Sequence, residues 1–159
     1  MTEPLIPEMV ADHTTCLLIK LGQVMFRVSE DRLATLGLRT RHFMILKVLA
    51  GDKASSQLEL GTRLRIDSTT MVAAIDHLEA AGLAARIRDH RDRRRFLIEI
   101  TEQGMSTVEQ ADELVRTLNN DLLDGLDPDE RTNLHQALLA LNSGEALPLA
   151  YDAVRQRRW

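Results

Sequence analysis

Between positions 86 and 95 the chain carries six arginines, Arg86, Arg88, Arg91, Arg93, Arg94 and Arg95, together with His90, against only Asp89 and Asp92. A planar guanidinium can bridge two phosphate oxygens, and its head fits a narrow, A·T-rich minor groove. The segment nets +4, so the other residues carry −8 in a chain of net charge −4. Such segregation is expected where one surface neutralises phosphates and the rest keeps the molecule soluble. The alternative is a solvated turn with local ion pairs, each giving under ~1 kcal/mol. Six like charges on a short ribbon, however, repel one another unless an anion arrives. Asp92, two residues from Arg94, is close enough to hold that side chain in one pose.

The elements around this cluster must aim it. Residues 84–88 and 95–100 read as short strands, with Phe96, Ile98 and Ile100 alternating against Arg95 and Glu99, so the arginines sit on a hairpin. A helix precedes it, with Asp67 as N-cap and Gly82 in the left-handed position after its end, where Leu83 is the apolar companion. At about 100° per residue, Met71, Ile75 and Leu78 share one face, while Thr69, Thr70, Ala73, Asp76 and His77 share the other. The second face, with Ser68, suits a major groove, where hydroxyls bond base edges or phosphates and Ala73 meets a thymine methyl. It equally suits an ordinary solvent-facing surface.

Ser56 and Glu59 have capping-box spacing ahead of Leu60, Leu64 and Ile66. They predict a partner helix a few residues before Asp67, with Gly61 letting the crossing helices approach. An earlier helix is predicted from an N-cap at Thr40 to about Gly51. With Phe43, Leu46 and Ala50 on one face and Ile45, Val48 and Leu49 on others, it is apolar nearly all round and buried. The predicted fold is mainly α with a small β-hairpin, a winged helix-turn-helix.

These residues resemble the MarR family of bacterial transcription regulators. The resemblance rests on the helix pair LELGTRLRIDSTTMVAAIDHLEAAGL, the wing DHRDRRRFLIEIT and the Thr101 start of the next helix. It is most specific at Asp92, Arg93 and Arg94, and by pattern it extends from Cys16 to Leu141. It implies a homodimer on palindromic duplex DNA, often responsive to small ligands. Ser68, Thr69, Thr70 and His77 are then assigned to the groove or its phosphates, and Arg93 and Arg94 to the minor groove, with Arg86, Arg88, Arg91 and Arg95 beside them. The chain departs from many members at Val72 and Ala73, where they carry basic or hydroxyl residues, and at His77, where they carry arginine. Direct base readout therefore rests on few side chains. Family ligands sit between the dimer helices and the reader, which places Cys16, Lys20, His42, Leu46 and Met105 around an effector pocket. Lys20 is as well read as a snorkelling surface lysine. Some relatives sense peroxide through an early cysteine; Cys16 is either such a thiol or a small residue packed at a helix interface.

The ends of the chain predict the dimer independently. Leu17, Leu18, Leu21, Val24, Met25 and Val28 form a broad stripe, too interrupted to span a membrane. Val108, Ala111, Leu114, Val115, Leu118 and Leu122 form a second, and Asp127, Pro128 and Glu130 open a third helix with Leu134, Leu138 and Leu141. Packing within one subunit would bury part of these stripes; a bundle of two copies would bury the rest. The expected organisation is a helical dimerisation module of residues 8–36 and 101–145 around a winged helix-turn-helix at 37–100. A tail at 146–159 follows, in which Pro148 ends the last long helix. Tail residues Arg155, Arg157, Arg158 and Trp159 dock on the partner, touch DNA or fray.

Other classes find little support. The 159 residues suit one domain or a small reader with a helical module. The start MTEPLIPEMV has neither a basic n-region nor an apolar stretch, so a cytoplasmic protein is expected. One cysteine makes no internal disulfide, and five aromatics argue against stacking on single strands. His13, His42, His77, His90 and His135 are scattered, with no nucleophile motif, phosphate loop or metal-spaced pair. His13 and Cys16 share a helical face but lack the partners of a tetrahedral site. No enzyme activity, metal or cofactor is expected. The rival reading from another class is a winged helix that binds only protein.

Overall fold

A computed structural model of the chain describes residues 3–52 and 54–157, apart from the side chain of Gln156. Arg158 and Trp159, to which the tail reading assigned roles, lie outside the described residues. The helices are α1 (Glu8–Ala11), α2 (Thr14–Ala34), α3 (Thr40–Asp52), α4 (Gln57–Leu64), α5 (Ser68–Ala80), α6 (Glu102–Leu122), α7 (Pro128–Ser143) and α8 (Ala146–Gln156). The strands are β1 (Ala54–Ser55), β2 (Ala84–Arg88) and β3 (Phe96–Ile100). Two compact units result, one ending at Leu118 and the other beginning at Asn119, so the division falls inside α6.

The helix-turn-helix follows from its caps. Ser56 accepts from the Glu59 amide at 3.2 Å, and Glu59 accepts from the Ser56 amide at 2.8 Å, which starts α4. Those bonds hold the Glu59 carboxyl below its ordinary pKa. The chain leaves α4 through Arg65, left-handed at φ 53°, and the Ile66 amide returns to the Gly61 carbonyl at 3.0 Å. A methyl on Gly61 would meet the Ile66 carbonyl at 3.2 Å, so this glycine serves the tight turn between the helices. Asp67 caps α5 by accepting from Thr70 at 2.9 Å. At the other end Gly82, at φ 72°, donates to Glu79 while Leu83 donates to Leu78, both at 2.9 Å. These paired bonds satisfy the last carbonyls of the helix.

Met71, Ile75 and Leu78 of α5 are fully buried against Ile45, Leu46 and Leu49 of α3, Leu60 of α4 and Ile98 of β3. Each such side chain contributes roughly 1.5–3 kcal/mol relative to exposure. Leu33 of α2 and Val108 and Ala111 of α6 join the same core. The α6 start packs closest. Thr101 donates its hydroxyl to the Gly82 carbonyl at 2.7 Å and accepts from the Gly104 amide at 2.9 Å. A methyl on Gly104 would overlap the Leu83 carbonyl.

One expectation is extended and two need correction. The sheet has three strands in the order β1-β3-β2, because Ala54 and Ser55 pair antiparallel with Glu99 and Ile98. Two residues are too short to show a period. Thr40 is the first helical residue of α3 rather than its cap: its amide donates to Glu30 of α2 at 2.6 Å, and the Arg39 amide donates to His42 Nδ1 at 3.1 Å. Pro148 does not end α7, which stops at Ser143, but sits in the first turn of α8, where a missing N–H removes no helical bond.

In the second unit, Asp127 accepts from the Asp129 and Glu130 amides and Glu130 returns to the Asp127 amide, completing the predicted capping box. No described residue of α7 is buried. No helix among the described residues is long and apolar enough to cross a membrane.

Candidate nucleic-acid interface

The wing is the loop between β2 and β3, and its stiffness comes from its two aspartates. Asp89 accepts from the Arg91 amide at 2.8 Å and Asp92 from the Arg94 amide at 3.0 Å. Asp92 therefore holds the Arg94 backbone and not its side chain, as short side chains do when they bond the amide two residues on. The Arg95 amide closes the turn on the Asp92 carbonyl at 2.9 Å, and the Asp89 amide donates to the Arg95 carbonyl at 3.0 Å. Strand β3 thus begins at Phe96 rather than Arg95. Arg88 donates to the Arg93 carbonyl at 3.1 Å and lies 5.4 Å over the Phe96 ring, which is exposed. Arg91, Arg93, Arg94 and Arg95 are exposed, and among the described residues none of them forms an ion pair.

Arg86 is differently employed. It forms an ion pair with Glu79, and at 2.8 Å with Asp76, both on α5, while its amide donates to Glu79 at 2.8 Å. Two carboxylates neutralise it, so it ties the wing to α5 instead of offering a free charge.

On α5, Ser68, Thr69, Ala73, Asp76 and His77 are exposed and Thr70 is half-buried. His77 nevertheless faces the protein. Its Nε2 lies 3.1 Å from the Gly37 carbonyl, and its ring stacks on His42 with centroids 4.4 Å apart and planes 11° from parallel. A carbonyl only accepts, so Nε2 carries the proton. His42 is bare at Nδ1, where it accepts from Arg39. Burial, then the positive charges of His77 and Arg41, push the His42 imidazole down to about 4. Beside it, burial alone would raise the Glu30 carboxyl, but hydrogen bonds from Thr40 and Arg39 outweigh that and hold it below its ordinary value.

A cleft of about 500 Å³ opens here between the α2–α3 corner and α5, lined by Gly37, Arg39, Arg41, His42, Ala73 and His77 among others. Of the five residues assigned to an effector pocket, only His42 borders it. Leu46 is wholly buried in the core and does not line this cleft. Cys16 is half-buried, Lys20 is exposed and Met105 is partly exposed, and none of them lines this cleft. A second cleft, of about 660 Å³, lies along the wing beside Arg88, His90 and Arg93. Among the described residues no group of three His, Cys, Asp or Glu could hold a metal ion. Sequence reasoning missed Glu30, Arg39 and Arg41, which carry no local pattern; their roles arise where α2, α3 and α5 meet.

The assigned dimer residues divide by burial. Leu118 is buried; Leu17 and Leu134 are half-buried; Leu21, Leu122, Leu138 and Leu141 are exposed. Beside Leu21, α2 also exposes Leu18 and Met25, and farther round the helix Ile19 at 57% and Phe26 at 56%.

Comparison with known proteins agrees with this geometry. The sequence profile of the MarR family matches residues 36–95. The chain is 31% identical over 131 residues to the HTH-type transcriptional regulator TtmR of Methylorubrum extorquens, covering 82% of this chain and 66% of that relative's length. It is similar in structure to the transcriptional regulator BldR of Sulfolobus solfataricus, at TM-score 0.72 and 29% identity over 87% of this chain and 99% of that one. It is also similar to CouR of Rhodococcus jostii RHA1, solved bound to p-coumaroyl-CoA, at TM-score 0.72 and 25% identity over 87% and 98%. The capped helix pair, the arginine wing and these likenesses together establish that the chain belongs to the MarR family of winged helix-turn-helix transcription regulators.

Proposed function

We propose that this protein is a cytoplasmic, homodimeric reader of double-stranded DNA that represses transcription from an inverted-repeat site and is released by a small-molecule effector. The observation that carries the reading is the wing: four exposed arginines that form no ion pair among the described residues, on a backbone braced by Asp89 and Asp92, in a chain that is otherwise acidic. Arginine fixed at a wing tip neutralises phosphate and enters a minor groove, while Ser68, Thr69 and Thr70 at the start of α5 reach the adjacent major groove. A twofold dimer would space two such helices about one DNA turn, ~34 Å, apart. Residues 8–36 and 101–145 would form the dimer module and 37–100 the reader. The exposed apolar face of α2 supports this, since apolar residues so arranged need a partner. Effector release is proposed on the likeness to CouR, whose structure holds a ligand.

The test is fluorescence anisotropy with duplex DNA from upstream of the gene and a scrambled duplex, across a salt series, with Arg93→Ala/Arg94→Ala alongside. Salt-sensitive binding that prefers the upstream duplex and weakens in the variant is expected. No binding at low salt by a folded protein would leave the winged helix as a protein-interaction module.

A further inference from the structure

We propose that Arg41 binds a DNA phosphate on the side of α5 opposite the wing, giving the reader a grip on both strands of the groove. The inference rests on the DNA-reading assignment above. At about 100° per residue, Thr69 and Asp76 lie at the centre of the exposed face of α5, Val72 and Glu79 on one flank, and Ala73 and His77 on the other. The Glu79 flank belongs to the wing, because Arg86 of β2 pairs there. A helix in a major groove about 12 Å wide has a phosphodiester strand on each side. Wing cations serve one of them.

The other strand would run along the His77 flank, over the cleft beside α3. Its lining includes Arg39 and Arg41 and no carboxylate among the described residues, and Gly37, Ala34 and Ala73 leave room for a sugar-phosphate chain to approach. Arg39 is committed to Glu30 at 3.2 Å. The amide of Thr40, the first residue of α3, is also occupied, by Glu30, and that of Arg39 just before it by His42. Arg41 is exposed and, among the described residues, forms no ion pair. Its guanidinium is thus the available charge on this flank. Such a contact positions the helix without reading sequence.

The experiment repeats the anisotropy titration with the full-length chain carrying Arg41→Ala or Arg41→Lys, on the upstream and scrambled duplexes over the same salt series. Arg41→Ala should weaken binding by roughly an order of magnitude per subunit at 0.1 M salt and lower the slope of log K against log salt by about 0.9 per subunit. The loss should be alike on both duplexes, and Arg41→Lys should keep most of the slope. An unchanged slope in Arg41→Ala, with the slope still reduced in Arg93→Ala/Arg94→Ala, would overturn the Arg41 contact and leave the DNA reader standing. Neither variant altering the slope would instead remove the DNA-reading assignment. Among the described residues Arg41 has no ion pair to lose, and coincident thermal melts of variant and parent would show that the fold is kept.

Discussion

His42 stacks on His77 with ring centroids 4.4 Å apart and accepts the Arg39 amide at its Nδ1, so this buried ring is held neutral at the start of α3. Its pKa is pushed down to about 4 from the ordinary 6.5. Between those values the unfolded chain binds the extra proton and the folded one does not. The stabilisation is therefore complete above pH 6.5 and is lost as pH falls toward 4, a loss of about 3 kcal/mol. His42→Gln keeps an acceptor at the same helical position and removes the titration. Urea unfolding at pH 7, 6 and 5 should show stability falling more steeply in the parent than in the variant. Glu30, held below 4.5, affects both proteins alike. Parallel pH dependences would show that His42 titrates normally in the fold.

The Arg86 pairs with Asp76 and Glu79 predict a phenotype unlike that of the wing tip. Arg86→Met should cost about 1 kcal/mol of stability, since these pairs are partly exposed. It should also weaken DNA binding severalfold by uncovering two carboxylates beside the groove. The salt slope should barely change, because the lost charge was already neutralised. A slope reduced as much as in Arg93→Ala/Arg94→Ala would mean that Arg86 itself contacts phosphate.

Gly104 is a packing glycine. A methyl there would overlap the Leu83 carbonyl and come within 2.7 Å of Ile100 Cγ1, and a backbone carbonyl in a bonded turn cannot yield cheaply. Gly104→Ala should destabilise the protein by about 1–3 kcal/mol. Gly51→Ala meets nothing within 4 Å and lies in α3, so it should be neutral or stabilise by up to about 1 kcal/mol. Thermal melts of the two variants separate the cases; equal shifts would refute the packing argument.

The dimer reading predicts the behaviour of α2. Leu21→Glu/Met25→Glu places two charges on its exposed apolar face without touching the buried core. Sedimentation should change from a dimer to the 17.9 kDa chain, with helical content kept. A variant that still sediments as the parent does would place the interface elsewhere.

Much of the helix-turn-helix and wing was legible because their signals are local. Ser56 with Glu59, and Asp67 with Thr70, bond within three residues, and Gly82 ends α5 by a backbone conformation that glycine adopts freely. Met71, Ile75 and Leu78 declare their face by period alone. The site was legible in outline only. Arg86 and His77 stand in the sequence as two more groove-facing polar residues, yet one is neutralised by Asp76 and Glu79 and the other bonds Gly37, forty residues away.

By itself the sequence determined the family, the capped helix pair, the arginine wing and the apolar stripes, since each is written in residue types within a few positions of one another. Only the tertiary structure decided that Asp76 and Glu79 take Arg86, that Glu30 and His42 start α3, that Gly104 admits a helix against Leu83, and that Arg41 shares a cleft with α5. Those outcomes depend on which side chains meet after the core closes, and neither charge nor period along a chain specifies the partner that arrives from another element.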